Sequence, residues 1–293
     1  MRKKNTSYYR LVIQRVPKMI QIFDLGQLPS LADAQLTSYQ QQVDVQSSFE
    51  EQVKTAIALY GRVSKKGDAA FDVVRQQLDM MCSGARRCMY CEDSVADEIE
   101  HVRPKFHYPD YCFKWENFIY ACGACNRPKW NKYAVFDSQT NTFYRLPYKK
   151  GKYVRPIPGT PVLINPRIDD PMKFCMLDLL HTFMFALMPD LPSRDEERAK
   201  YTFFEILNLN DREYLRKARE SSFYAYRNAV IAYAEASSNS DATEMQKQER
   251  AIRIGQHKAV WFELKRYFSN GIWKRHDSLI HKALENNSKL IQI

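Results

Sequence analysis

The chain has 293 residues, and 45% of them are hydrophobic, which is enough for one large domain or two ordinary ones with a buried core. Its net charge is +10 and it has no apolar run as long as a signal peptide or a membrane span, so we expect a cytoplasmic protein without a membrane partner. Seven cysteines, an odd number, argue against a complete disulfide framework and favour metal ligation for any that are paired.

Residues 1–87 are predicted to form an N-terminal helical scaffold or docking region. A short strand or extended arm is expected over Tyr9–Val16. Apolar residues then recur at helical spacing over Phe49–Tyr60. A second helix is predicted over Asp68–Gly84, with Asp68 as its N-cap.

Two CxxC pairs follow, formed by Cys88, Cys91, Cys122 and Cys125. A CxxC turn lets both sulfurs of a pair face one tetrahedral ion, and four cysteines complete its coordination, so the pattern predicts a structural zinc site. Redox-active pairs are the alternative, but neither pair has the βαβ context of a thioredoxin-like protein. The spacing between the pairs exceeds that of a usual zinc ribbon, which predicts an inserted element the size of a β-hairpin.

The insertion contains the segment EIEHVRPK, residues 98–105, in which alternation predicts a strand that ends before Pro104. A second strand is predicted over Trp115–Tyr120. The second CxxC pair then leads into a short helix that carries Asn126 and Lys129. The predicted order is therefore strand, strand, helix.

This order of motifs resembles the HNH endonucleases, whose ββα-metal core has a CxxC pair, an acid-histidine pair, an asparagine and then CxxCN with a lysine nearby. Here the same order is given by CMYC, then Glu100 and His101, then Asn117, and then CGACNRPK. The segment that begins IEHVRPK is also similar to the HNH subunits (PtuB) of Septu anti-phage systems and their retron-associated relatives. The resemblance covers roughly residues 70–220 and is strongest over 88–131.

An HNH site implies a role for each of these residues. Phosphodiester hydrolysis needs a general base, and His101 supplies an imidazole that titrates near the working pH. The resemblance implies that Glu100 and Asn126 bind one catalytic Mg²⁺ or Mn²⁺, and that Asn117 braces the loop that orients His101. Because neighbouring residues of a strand point to opposite faces, we expect a local irregularity at Glu100. The candidate substrate contacts are Lys129, Arg127, Lys105, Arg103, Lys149, Lys150 and Lys152.

Basic residues are concentrated in two stretches. Residues 1–23 hold six Lys or Arg and no acid, and residues 117–168 hold nine Lys or Arg against the single acid Asp137. Six prolines exclude a continuous helix over residues 145–171 and predict an extended basic connector there. This charge distribution indicates a polyanionic partner, with a solvated surface loop as the alternative. Nucleic acid is the partner we expect, DNA before RNA.

Residues 172–293 are predicted to form a β-hairpin over Lys173–Met188 followed by a helical domain. Capping-box patterns predict helices that begin at Ser193 and at Asn210. No chemistry is evident in this part of the chain. The last two helices are expected over Asp241–Phe268 and Asp277–Leu290.

The sequence as a whole predicts a mainly helical α+β protein, in which a small zinc-stapled ββα-metal core over residues 88–144 lies between helical flanks. The first functional hypothesis is a metal-dependent HNH endonuclease that hydrolyses phosphodiester bonds of nucleic acid. The resemblance to Septu subunits implies an antiviral defence role together with a companion ATPase. The alternative is a non-catalytic zinc module that binds nucleic acid or a partner protein.

Overall fold

A computed structural model describes residues 27–293 of the chain. The strand predicted over Tyr9–Val16 and the basic stretch 1–23 lie outside the described residues. The described chain is α+β, with about 53% helix and three small antiparallel sheets, which confirms the predicted fold class at this level. Within residues 27–293, no helix combines the length and the apolar character needed to span a bilayer.

The described residues form two compact units. The first, called here the cysteine unit, comprises residues 27–171 together with Ser193–Leu209. The second, called here the helical unit, comprises Met172–Pro192 and Asn210–Ile293. Each unit is therefore assembled from chain segments that are not contiguous in sequence, and the predicted connector 145–171 belongs to the cysteine unit.

Three helices open the cysteine unit: α1 (Ser30–Asp44), α2 (Phe49–Val63) and α3 (Ala69–Met81). Both helices predicted in this region are confirmed, and the side chains of Ser48 and Asp68 cap them by accepting a hydrogen bond from the N–H group three residues later. Helix α2 continues two residues past Gly61, so this glycine does not end the helix. A Cβ at Gly61 would meet open space, so no neighbouring atom requires a glycine there. The Phe71 ring of α3 packs against that of Phe118, with centroids 5.9 Å apart.

The predicted order of strand, strand and helix is confirmed by β1 (Glu98–His101), β2 (Phe118–Ala121) and α4 (Gly123–Lys129). The two strands pair antiparallel in a regular register, with His101 opposite Phe118 at one end. The irregularity expected at Glu100 is absent from this ladder, so Glu100 and His101 point to opposite faces of β1. The second strand begins later than predicted, because Trp115–Asn117 form a 3₁₀ turn.

A three-stranded sheet and two helical segments complete the cysteine unit: β3 (Ala134–Asp137), β4 (Phe143–Arg145), β5 (Gly159–Pro161), α5 (Ser193–Ala199) and a π-helix (Lys200–Ile206). Strand β3 is central, with β4 and β5 antiparallel on its two sides. The proline-rich segment supplies β5 and then Arg167, whose buried guanidinium donates hydrogen bonds to the carbonyls of Trp115 and Phe118. Asp169 pairs with Arg198 of α5 at 2.6 Å. The end of this segment is therefore packed into the unit.

The helical unit contains a hairpin and five helices: β6 (Cys175–Leu177), β7 (Phe185–Leu187), α6 (Glu213–Ser238), α7 (Ala242–Ile254), α8 (Lys258–Ser269), α9 (Trp273–His276) and α10 (Ser278–Asn286). The predicted hairpin is confirmed, and the Asp178 carboxylate accepts the N–H groups of Leu180 and Thr182 in its turn. The core of the unit is aromatic, with the Phe223 and Trp273 rings stacked 5.7 Å apart.

Two predicted helix boundaries in this unit are wrong. Asn210 caps no helix, because its side chain exchanges two hydrogen bonds with the backbone of Phe185, and α6 begins without a side-chain cap. The helix predicted over Asp241–Phe268 is divided into α7 and α8. The break begins at Gly255, where a Cβ would lie 2.5 Å from the Tyr226 ring, so the chain passes this ring only without a side chain.

Candidate metal centre and the ββα site

Four buried cysteine thiols converge in the cysteine unit. The Sγ atoms of Cys88, Cys91, Cys122 and Cys125 lie within 4.8 Å of one another, and those of Cys91 and Cys122 are 3.8 Å apart. Tetrahedral zinc with Zn–S bonds of about 2.3 Å separates its sulfurs by about 3.8 Å. The four thiols therefore fit a metal ion such as zinc. Among residues 27–293 no other group of three or more His, Cys, Asp or Glu side chains is arranged to hold a metal.

Backbone hydrogen bonds bring the two CxxC turns together across the intervening residues. In the first turn, the Met89 N–H donates to the carbonyl of Tyr120 in β2 at 3.0 Å. In the second turn, Cys122 is the N-cap of α4 and its carbonyl accepts the Cys125 N–H at 3.0 Å. Strand β2 thus holds the first turn beside it and leads directly into the second.

The ionisation of each of the four sulfurs depends on the others. Hydrogen bonding among them lowers the pKa of the Cys122 thiol and raises that of Cys125. Four thiolates at this separation repel one another, so full ionisation requires a positive charge among them. The other cysteines differ, because burial raises the pKa of Cys82 and of Cys112 to about 12, and both remain neutral thiols.

His101 ends β1 with its imidazole in the protein interior. The residue is 3% exposed, and its ring lies 4.6 Å from that of Tyr60 and 5.2 Å from that of Phe118. Nε2 is 2.9 Å from the Cys112 carbonyl oxygen, so Nε2–H is the donor and Nδ1 is the basic nitrogen of the neutral ring. Burial and nearby lysine charges hold the pKa of His101 well below its usual range. The imidazole is therefore neutral at physiological pH.

Glu100 lies on the opposite face of β1, where it pairs with Lys129 of α4. The Lys129 ammonium is fully buried and donates hydrogen bonds to Glu100 Oε1 and, at 2.7 Å, to the His101 carbonyl oxygen. Burial raises the pKa of Glu100 and lowers that of Lys129, while each charge opposes the shift of the other. The predicted phosphate contact by Lys129 does not fit this position, because the ammonium is enclosed and already has two acceptors.

Asn126 directs its amide towards a different carboxylate. Its Nδ2 donates to Glu98 Oε2 at 2.7 Å. Glu98 and Glu100 share one face of β1 because they are two residues apart. The two predicted ligands of a catalytic divalent ion, Glu100 and Asn126, are thus each bonded to another group. The Glu100 carboxylate is therefore occupied by Lys129, while the hydrogen bond of Asn126 uses its amide nitrogen rather than Oδ1, the atom that would bind a hard cation.

The buried amide of Asn117 holds the loop between the two strands. Its Oδ1 accepts the Arg103 N–H at 2.7 Å. Its Nδ2 donates to the carbonyls of Arg103 and Tyr111, at 3.0 and 2.9 Å. Three hydrogen bonds from one side chain therefore fix the chain on both sides of the loop that follows His101.

Arg103 and Lys105, predicted as substrate contacts, lie half-buried against aromatic rings. The Arg103 guanidinium is 4.3 Å from the centroid of Tyr111, and the Lys105 ammonium is 4.6 Å from that of Tyr60. Cation–π attraction holds both side chains in place. The Lys105 charge also contributes to the low pKa of His101.

Some basic side chains of the stretch 117–168 are paired within the protein, and others are exposed without a carboxylate partner among the described residues. Lys129 pairs with Glu100, Arg167 donates to backbone carbonyls, and Arg145 forms a bidentate pair with Glu205 at 2.9 and 2.6 Å. The single acid of the stretch, Asp137, accepts N–H groups of its own turn. The other six basic residues are exposed, and four of them are predicted substrate contacts. These six are Arg127, Lys132, Lys149, Lys150, Lys152 and Arg155.

Sequence reasoning missed Tyr60 and Glu98 as parts of this site. The Tyr60 hydroxyl donates to the Ile99 carbonyl at 3.2 Å, and its ring covers His101. Nothing in the local sequence signals that a helix so far upstream packs on β1. Glu98 did carry a signal, because strand alternation places it on the same face as Glu100.

The chain matches no protein-family model, no curated protein and no solved structure. Support for a function therefore comes from the order of its motifs and from the geometry described above.

Proposed function

We propose that this protein is a metal-dependent HNH-type endonuclease that hydrolyses phosphodiester bonds of DNA or RNA. The observation that carries the proposal is a contiguous ββα element that is closed by four cysteines. This element bears the acid, the histidine and the asparagines in the order seen in HNH enzymes. By the same resemblance, we propose a cytoplasmic role as the effector of an anti-phage system with a companion ATPase.

The state of His101 supports its proposed role as general base. A base must be unprotonated before it accepts a proton, and the low pKa of this imidazole keeps Nδ1 free of a proton at neutral pH. Asn117 fixes the loop after His101, so the ring has one defined position. Exposed cations on the same unit supply phosphate contacts that are independent of base sequence.

The proposed metal dependence requires the pair between Glu100 and Lys129 to open. A carboxylate is the ligand that a hard divalent cation prefers, and the Lys129 ammonium occupies Glu100 in the described arrangement. We infer that this arrangement is a resting one. Substrate or a partner would have to shift Lys129 before Glu100 binds a cation, and would have to shift Tyr60 before His101 reaches solvent.

A non-catalytic zinc module that binds nucleic acid is the second candidate, and one observation favours it. His101, Glu100 and Lys129 are at most 6% exposed, and each has a partner in the protein. Residues with these properties also serve simply to hold β1 against α4, through Glu100 and Lys129, and against α2, through His101. The two candidates share the zinc site and the basic surface, and they differ only in cleavage.

Cleavage assays on plasmid, single-stranded DNA and RNA, with Mg²⁺ or Mn²⁺, separate the two candidates. The test variant is His101→Gln, and the matched control is His181→Ala, which changes an exposed histidine of the helical unit. Zinc content and melting temperature show whether each variant is folded. A nuclease is expected to lose about 100-fold or more of its rate in His101→Gln and none in His181→Ala.

Two results would count against catalysis by this site. Undiminished cleavage by folded His101→Gln would remove His101 from the mechanism. Absence of cleavage by the wild-type protein, alone and with its copurified partner, combined with intact nucleic-acid binding, would establish the binding module instead.

A further inference from the structure

An exposed tryptophan lies directly after the helix that carries the ββα site. Trp130 follows α4, and its N–H donates to the Asn126 carbonyl at 2.8 Å. It is 58% exposed, whereas Trp115, Trp261 and Trp273 are at most 6% exposed. Trp130 is therefore the one tryptophan of the chain that offers its ring to a ligand.

The backbone at Trp130 is also unusual for such a residue. Its φ is +40° and its ψ is −119°, a combination outside the αL region that residues with a Cβ rarely adopt. A bulky side chain at positive φ costs conformational free energy, and outliers of this kind concentrate at binding sites. The exposed ring contributes little to the core, so folding alone does not explain an aromatic residue at this place.

Trp130 begins a row of aromatic rings. The ring of half-buried Tyr148 lies 4.5 Å from it, and buried Phe106 lies 4.6 Å beyond Tyr148. The Tyr153 ring then lies 5.6 Å from Phe106. Phe106 is 4% exposed and forms the base of the row, while the outer rings reach solvent. We call Trp130, Tyr148, Phe106 and Tyr153 the aromatic row.

The aromatic row is held in place from below. His107 Nε2 lies 3.1 Å from the carbonyl oxygen of Asn131, the residue after Trp130. The His107 ring meets the Phe106 ring edge-on at 5.2 Å. The outer rings thus pack on residues that are already ordered before any ligand binds. This order lowers the entropic cost of binding.

Three lysines lie on the turn that joins two rings of the aromatic row. Lys149 and Lys152 pair across a tight turn between Tyr148 and Tyr153, with Lys150 at its tip. All three lysines are exposed, and none has a carboxylate partner within the described chain. The row therefore combines accessible π faces with unpaired cations.

We propose that the aromatic row binds an unpaired nucleic-acid strand, with bases stacked on Trp130 and Tyr148 and phosphates at Lys149, Lys150 and Lys152. Stacking platforms flanked by basic residues bind single strands in this way. A duplex hides the faces of its bases, so it meets only the lysines. The proposal rests on the proposed nuclease function in one respect. If the protein is a nuclease, binding at the aromatic row selects single-stranded or locally opened nucleic acid as its substrate.

Binding without cleavage tests the proposal independently of catalysis. Fluorescein-labelled oligo(dT) and oligo(rU) of about 20 nucleotides, longer than one typical site, are titrated without divalent ions and compared with a duplex of equal length. Tryptophan fluorescence is followed in parallel in the wild type and in Trp130→Phe, because a stacked base quenches the part that comes from Trp130. The variants are Trp130→Ala and Trp130→Phe, and the matched control is Tyr224→Ala, which removes an aromatic ring that is 52% exposed in the helical unit.

The expected result is a loss of affinity for single strands of about 5-fold to about 150-fold in Trp130→Ala, as for one lost base stack. Trp130→Phe keeps a ring and is expected to keep most of the affinity. Tyr224→Ala binds like the wild type. A loss on both oligomers supports stacking alone, and a loss on one shows in addition that the row distinguishes the two strands by the sugar or by the thymine methyl group.

Two outcomes overturn the proposal. Equal binding by Trp130→Ala and wild type would show that the row takes no bases. Equal affinity for duplex and single strand would show that only phosphates are bound. Failure of the nuclease function looks different, because the protein would then bind single strands through Trp130 and cleave none of them.

Discussion

The buried pair between Glu100 and Lys129 leads to a quantitative prediction about stability. The Lys129 ammonium is fully buried, and the Glu100 side chain is 8% exposed. Replacing Lys129 by methionine preserves the length of the side chain but leaves an uncompensated carboxylate in the interior. Breaking such a pair costs about 3–5 kcal/mol. We expect Lys129→Met to lower the free energy of unfolding of the cysteine unit by this amount.

A double-mutant cycle isolates the pair from other effects of the substitutions. Glu100→Gln alone removes the negative charge beside Lys129 but keeps a side-chain oxygen that can accept its hydrogen bond, along with the His101 carbonyl. The double variant, Lys129→Met with Glu100→Gln, contains neither charge. It is expected to be more stable than the sum of the single losses predicts, by about 1–3 kcal/mol. Equilibrium urea unfolding with zinc retained measures these free energies, and hydrogen exchange on β1 and α4 locates them.

The exposed pair of Glu213 and Lys217 on α6 serves as the control. Removing these two charges by the same kinds of substitution is expected to leave the unfolding midpoint unchanged. The reasoning fails if Lys129→Met costs less than about 1 kcal/mol, or if the two single effects add within about 0.5 kcal/mol. Added Mg²⁺ extends the test. If Glu100 is a metal ligand once Lys129 is gone, Mg²⁺ stabilises Lys129→Met more than the wild type.

Three further predictions concern the cysteines, the histidines and the loop between the strands. Cys88→Ser is expected to release the metal and unfold the cysteine unit, since structural zinc supplies about 10–16 kcal/mol in small domains; elemental analysis and circular dichroism check this, and a Cys82→Ser protein that also loses zinc would contradict it. The pKa of His107 is lowered to about 4 and that of His101 is also lowered, so both are neutral in the folded state. Their stabilisation is present above about pH 6.5 and is lost as the pH falls towards 4, by up to about 1.4 kcal/mol per pH unit for each ring. Urea unfolding at several pH values should show that the free energy of unfolding of His107→Gln depends less steeply on pH than that of the wild type. An equally steep dependence on pH would contradict this prediction. Asn117→Ala is expected to cost about 1–3 kcal/mol for each buried group left unpaired and to speed exchange of the Arg103 amide, whereas protection equal to wild type would show that the loop holds itself.

Local signals in the sequence were sufficient for several elements. Helices α2 and α3 have a clear apolar period and capping side chains, which act within one turn of the chain. The four cysteines were recognisable because CxxC spacing is fixed by the geometry of the ion rather than by the rest of the fold. The order of β1, β2 and α4 followed from alternation and from the two cysteine pairs.

The parts that failed depend on contacts between distant segments. Sequence alone places Lys129 on a short basic helix, where exposure is the usual state of a lysine. Its burial arises because α4 packs over β1 and brings the side chain to Glu100. In the same way, the enclosure of His101 depends on Tyr60 of α2. The continuous helix predicted beyond Asp241 is interrupted at Gly255, where packing against the distant Tyr226 ring leaves no room for a side chain.

The order of segments along the chain also affects how the cysteine unit is made. Its last part, Ser193–Leu209, follows a hairpin that belongs to the other unit. The Thr202 hydroxyl accepts a hydrogen bond from the Ile164 N–H, and the Glu205 carboxylate pairs with Arg145. Thr202 and Glu205 emerge from the ribosome only after the whole ββα element has been synthesised. During synthesis, the four cysteines can therefore come together while Arg145 still lacks its partner, and a fragment cut at residue 171 would keep Arg145 unpaired.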